Sequence, residues 1–147
     1  MRHSLILAAM MAAFLAPPVF AAGSYDPPPN ADERLKKAIK HIDGERYDRA
    51  ISELRKAAKL RPENADIQNY LGFAYRKSGK LEASGKHYAK ALELDPNHKG
   101  ALEYQGELFL MTGAAEKARA NLARLEVLCP DGCSELTDLQ AAIAAAQ

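Results

Sequence analysis

The chain has no tryptophan, and six tyrosines and four phenylalanines are its only aromatic residues. With so few large rings, a core must be closed by aliphatic side chains and by alanine. Alanine is abundant here and favours helices that pack at close range. Neither charge sign is in surplus. The formal net charge of +1 falls to zero once Arg2 is lost with the leader described below, leaving 19 Lys+Arg against 19 Asp+Glu. That balance gives no electrostatic drive toward nucleic acid or an anionic membrane surface. The remaining composition, 48% hydrophobic and 27% charged over 147 residues, is that of one soluble globular domain.

Catalytic signatures are equally scarce. There is no serine elbow, no cysteine with an orienting histidine, and no carboxylate pair whose surroundings can be argued. Gly79 to Lys86 resembles a phosphate loop, but the spacing is one residue too long and His87 stands where Ser or Thr is required. His41, His87 and His98 share no ligand spacing, and His87 is expected on the outward face of its helix. Glu103 and Glu107 lie one helical turn apart and read as a solvated face. No catalytic residue, cofactor or metal ligand set is therefore expected.

The one long uncharged run is at the N-terminus. Arg2 and His3 precede an apolar stretch from Leu5 to Leu15, followed by Pro17-Pro18 and the small-residue site Val19-Phe20-Ala21. This is the layout of a cleaved export signal, residues 1–21, and the prolines argue against a spanning helix. No cysteine follows as a lipid anchor. The expected location is periplasmic or secreted, in a bacterial cell envelope, with no membrane span after cleavage. Residues 22–30, with Pro27-Pro28-Pro29, read as an extended linker.

Beyond the linker the sequence repeats. Pro62, Pro96 and Pro130 are evenly spaced, at a period of about 34 residues. The same period relates Ala50, Ser84 and Ala118; Leu54, Tyr88 and Leu122; Ala57, Ala91 and Leu125; and Tyr47, Leu81 and Ala115. Within each unit, apolar residues recur at spacings of three and four, as on one face of a helix. Helices are predicted over 30–43, 47–60, 64–77, 81–94, 98–111, 115–128 and 134–146. Small residues at 72, 84 and 91 let two helices of a unit approach closely. In the first unit, Leu35, Ala38, Ile39 and Ile42 look shifted by one position, which predicts a turn at Asp43-Gly44 one residue shorter than the others.

These residues resemble the tetratricopeptide repeat. The middle unit carries Leu71-Gly72-Phe73-Ala74-Tyr75, Gly79, Tyr88 and Ala91 through Asn97, with Ser84 in place of the usual Ala and Gln68 near an expected aromatic. The third matches through Gly106, Phe109, Gly113, Ala118, Leu122 and Pro130, with Gln105 where Leu is expected. The resemblance implies an all-α, right-handed α-solenoid of three units (31–64, 65–98, 99–132). A C-terminal capping helix within 133–147 carries the stripe Leu136, Leu139, Ala142 and Ile143. It also implies a concave groove lined by each unit's first helix. The groove positions are Asn69, Tyr70, Phe73, Arg76 and Lys77, then Glu103, Tyr104, Glu107 and Leu110. A protein or peptide partner of the envelope is the ligand class implied. The family's carboxylate clamp, which grips chaperone C-termini, would need Lys, Asn and basic residues where this chain has Leu35, Ile39, Tyr70, Gly100 and Tyr104. That ligand mode is disfavoured. Oligomeric state is left open.

Cys129 and Cys133, in Cys-Pro-Asp-Gly-Cys, sit between the last repeat and the cap. In an oxidising compartment an isolated pair favours a disulfide, and Pro-Asp-Gly supplies a turn tight enough to bring the sulfurs together. A redox or metal-handling accessory role through the same two residues is the alternative.

Overall fold

The computed structural model describes residues 29–146, so the predicted signal, 1–21, and all but the end of the linker lie outside the described residues. Seven helices follow in order: α1 (Ala31–Asp43), α2 (Tyr47–Leu60), α3 (Ala65–Lys77), α4 (Leu81–Leu94), α5 (Lys99–Met111), α6 (Ala115–Leu128) and α7 (Ser134–Ala145). The described residues contain no strand. Consecutive helices pack as antiparallel hairpins, α1 with α2, α3 with α4 and α5 with α6, and each hairpin stacks on the next. The result is the expected solenoid.

A further column of the repeat explains where the first helices start. Asn30, Asn64 and His98 are N-caps, and each side chain accepts a hydrogen bond from a backbone N–H in the first turn, at Glu33, Ile67 and Ala101. These bonds satisfy one of the unpaired donors of a helix start. Asn30 completes a capping box with Glu33. The second helices follow Arg46, Lys80 and Ala114, none of which supplies a side-chain cap. They rely on the turn before them. They end at Leu60, Leu94 and Leu128, leaving one residue before Pro62, Pro96 and Pro130, because the residue preceding a proline is pushed out of the helical region.

Small-against-large packing holds each hairpin together. A Cβ built on Gly72 would fall 2.5 Å from the Tyr88 ring, and Tyr88 is fully buried against it. Ser84, also fully buried, donates its hydroxyl to the Gly72 carbonyl at 2.8 Å, so its departure from alanine adds a hydrogen bond without adding bulk. Ala38 and Gly106 are the counterparts of Gly72 in the units on either side and are buried in the same way. One apolar cluster joins Ala38, Ala50, Ile51, Leu54 and Ala57 to Ile67, Leu71 and Ala74. A second joins Leu102, Ala118 and Leu125 to Leu139 and Ile143 of α7. The cap therefore contributes core residues to the last unit. Leu139 fills the space over Gly106, where a Cβ would lie 2.6 Å from its methyl carbon.

The first unit is not shifted, contrary to the expectation. Its helices start one full repeat before those of the second unit, and its turn, 44–46, matches 78–80 and 112–114 in length. What moved is the glycine. The middle turn residue has positive φ in all three units: Gly79 (74°), Gly113 (76°) and, in the first, Glu45 (55°). Gly44 lies one position too early to serve. A non-glycine residue in this region costs about 1 kcal/mol or more. Glu45→Gly is expected to raise unfolding stability by about 0.5–1 kcal/mol, the relief of strain less the added freedom of the unfolded chain. Denaturant melts of the two proteins check this.

Cys129 and Cys133 form a disulfide with Cα atoms 5.8 Å apart. Cys129 caps the end of α6, Cys133 is the residue before α7, and Gly132 takes positive φ in the turn between them. The bond fixes the entry of the cap. Closing so short a loop contributes about 2 kcal/mol. Replacing both cysteines with serine is expected to lower stability by that amount while the helical circular dichroism persists. A thiol assay on native protein should find no free sulfhydryl.

Candidate functional site

The first helices α1, α3 and α5 lie side by side along one face, with α3 touching both of the others. α7 packs on α6 as α5 packs on α4, so it extends this row by one helix. On this face Phe73 and Tyr104 meet with ring centroids 5.1 Å apart, and Tyr104 also approaches Tyr88 at 6.4 Å. The Arg76 guanidinium lies 5.5 Å from the Phe73 centroid and 5.6 Å from that of Tyr104. Arg76 also pairs with Glu107 across α3 and α5 at 2.5 Å. Aromatic faces and a carboxylate thus hold one cation on three sides. Tyr70 is half-buried against the first core cluster. Burial first, then the neighbouring Asp66 and Asp43, raise the pKa of its hydroxyl.

Of the groove residues named from sequence, Phe73, Arg76, Tyr104 and Glu107 converge directly. Lys77 is exposed and makes no ion pair with the others. Leu110 packs against the second core cluster. Asn69 and Glu103 sit deeper than expected, each 6% exposed. Glu103 corrects the reading of a solvated face. Its carboxyl is pushed up to about 7, mainly by burial and then by the negative charges of Glu107, Asp138 and Glu135, with Arg76 opposing. Burial likewise raises Tyr104, aided by Glu103 and Glu107.

His87 also corrects its expectation. It does not face outward. Its ring stacks on Tyr75 at 5.2 Å, its Nδ1 lies 2.8 Å from Gln68 Oε1, and burial lowers its pKa. It belongs to a polar column that the spacing could have shown: Glu53, His87 and Asn121 occupy the same position in successive units. Each reaches the first helix of its own unit. Glu53 accepts from Arg34 at 3.0 Å, His87 meets Gln68, and Asn121 donates to the Leu102 carbonyl at 3.0 Å and to Gln105 at 3.1 Å. The unexpected Gln68 and Gln105 are the partners this column needs. Among the described residues no group of three His, Cys, Asp or Glu side chains is placed to hold a metal ion. None of the described helices is long and apolar enough to cross a membrane.

A family model described as tetratricopeptide repeat matches residues 35–99 and 74–132, together well over half the chain. The chain belongs to the tetratricopeptide repeat family. Solved structures share its fold at low identity. The first such domain of Spaghetti (RPAP3), bound to the HSP90 peptide SRMEEVD, matches with a TM-score of 0.70 and 21% identity over 79% of this chain and 92% of that one. The type III secretion translocator chaperone SycD of Yersinia enterocolitica matches at 0.71 and 15%, over 78% and 88%. The TPR2B domain of yeast Sti1, in a pHsp70 complex, matches at 0.72 and 18%, over 80% and 98%. No curated protein matches significantly in sequence.

The raised Glu103 carboxyl has a consequence for stability. Between about 4.5, its ordinary value, and about 7, the folded repeat array binds a proton that the unfolded chain has released. Folding stability from this group therefore falls as pH rises through that window. Glu103→Gln removes the burial cost of the charge. It is expected to gain about 1–3 kcal/mol at pH 8 and close to nothing at pH 4. Denaturant unfolding of both proteins at the two pH values is the measurement.

Proposed function

We propose that this protein is a non-enzymatic interaction module of the bacterial cell envelope, periplasmic or secreted, that binds a peptide or helix of a protein partner in its concave groove. The observation that carries this reading is the cluster of Phe73, Tyr104 and Arg76. These rings remain partly open on the concave side, outside the two apolar clusters that close the units. Rigid aromatic and arginine groups of this kind anchor partners because they offer large contact area at low entropy cost. A preformed groove also needs little reorganisation on binding. Two proteins of like fold are described in complexes, one with the HSP90 peptide SRMEEVD and one with pHsp70. The groove here differs from a carboxylate-gripping one at Leu35, Ile39, Tyr70, Gly100 and Tyr104, which supports a different ligand.

The export reading rests on residues 1–21. A disulfide whose Cys129 is buried at the junction of α6 and the cap accords with an oxidising compartment.

Affinity capture from envelope extract tests the groove. The mature chain is expected to retain a discrete partner, and Tyr70→Ala and Phe73→Ala are expected to lose it at unchanged helical content. Retention of the partner by both variants, or unfolding of both, would overturn the assignment of these residues.

A further inference from the structure

Two carboxylates are buried to nearly the same degree in this chain, and they are treated in opposite ways. Glu53, 7% exposed, is ringed by Arg34 at 3.0 Å, Lys56 at 2.9 Å and Lys37 at 3.8 Å. Glu103, 6% exposed, makes no hydrogen bond and no ion pair with any described residue. The cation nearest to it in the groove, Arg76, is already held by Glu107 and the two rings. Asn69 occupies the position of Glu103 one unit earlier, on α3. Its Oδ1 is buried with no donor, while its Nδ2 packs against Gly100, where a Cβ would come within 3.2 Å of it. Two equivalent positions on neighbouring helices thus hold acceptors that no protein donor meets: Asn69 Oδ1 is fully buried, whereas the Glu103 carboxylate, on a residue otherwise buried, stays within reach of the surface. Polar groups left unpaired in this way are costly, and they occur where a ligand brings the partner.

We propose that the part of the groove between α3, α5 and α7 receives a lysine or arginine side chain of the bound segment, with Glu103 as its counter-ion. The inference rests on the groove reading and adds the chemistry of the ligand. Charge favours it. Glu107, Asp138 and Glu135 all set negative charge against Glu103 at this end of the groove, opposed by the single guanidinium of Arg76. Residues 99–147 carry seven Asp+Glu against four Lys+Arg. Ammonium and guanidinium groups are donors only, which is what Glu103 and Asn69 Oδ1 lack. Phe73 and Tyr104, beside Glu103 in the row, offer apolar walls for the aliphatic stem of such a side chain. The site selects an organic cation over a metal ion, since no three ligating side chains converge there. Its ligand has the opposite charge to the acidic HSP90 peptide SRMEEVD bound by the relative of like fold.

The test uses the mature, disulfide-bonded chain and a displayed library of random dodecapeptides, followed by anisotropy titration of the selected peptides. The expected result is enrichment of peptides with a Lys or Arg beside an apolar residue, and loss of their binding in Phe73→Ala. Replacing that basic residue with norleucine should weaken binding at least tenfold, as should Glu103→Gln in the protein. Glu103→Gln is the clean variant, because it is expected to fold at least as stably as the wild type. Affinity should also fall severalfold from pH 8 to pH 5.5 in the wild type. It should fall less in Glu103→Gln, which has lost the titrating carboxyl at that position. Enriched peptides that lack basic residues yet lose binding in Phe73→Ala would overturn the cation site and leave the groove standing. Peptides indifferent to Phe73→Ala, or no enrichment, would overturn both.

Discussion

The distance between the two helices of a unit is the constraint from which the rest of the array follows. Tyr88 lies against Gly72 so closely that even a methyl group would collide with its ring. That contact sets where α3 and α4 cross, and stacking passes the same geometry to the hairpins on either side. It also decides which residues are left over for other work. With Tyr88, Leu71 and Ala91 committed to the interior, Phe73 and Arg76 are turned onto the other face of the same helix, where they meet α5 rather than α4. The groove is what remains of the first helices after the hairpins have closed.

Much of this was legible from spacing alone. Pro62, Pro96 and Pro130 mark the ends of the second helices because the steric effect of proline on its predecessor is local and acts alike in every unit. The helix bounds anticipated from the repeat differ from the observed ones by no more than a residue. Where the reading went astray, a rule was taken from residue type rather than from position. Gly44 suggested a shortened turn, since glycine ordinarily supplies the positive φ of such turns. Position decided otherwise, and Glu45 bears the strain because the helices on both sides are already fixed by packing. The groove was legible as a list of residues and not as a depth. Helical periodicity places Glu103 on the same face of α5 as Tyr104 and Glu107, but only the arrival of α7 beside it accounts for how deeply the residue is buried.

The two ends of the array solve the problem of an unfinished stack differently. At the C-terminal end α7 supplies Leu139 and Ile143 to the last core, and the disulfide fixes the direction in which it leaves α6. At the N-terminal end no described helix covers α1. There the first unit replaces the core-forming residues of later units with charge: Arg34 stands where Leu102 stands two units on, and it pairs with Glu53 instead of packing. The columns in which Gln68, His87, Gln105 and Asn121 fall are the same device in graded form. A polar contact joins the helices of each unit where a large apolar side chain would otherwise fill the space, and this suits a chain with so few large rings.

Glu53 and Glu103 show that the chain does not lack the means to neutralise a buried carboxylate. Three cations surround the first, and their charge and hydrogen bonds, led by that of Lys56, hold its pKa below the ordinary range. None attends the second, although Lys77 and Arg76 are both on the helix opposite. Arg76 is drawn away to Glu107 and its rings, and Lys77 points to solvent. If stability alone shaped this face, a single basic or apolar residue at position 103 would relieve the strain, since an unpaired buried charge is among the more expensive features a small domain can carry. Its place on this face, beside the partly open aromatics and outside the Arg76–Glu107 pair, follows the pattern in which stability is given up where a ligand must be met. The same residue therefore ties together two expectations that separate experiments test: a decline in stability with rising pH, and a gain in affinity for a cationic segment over the same range.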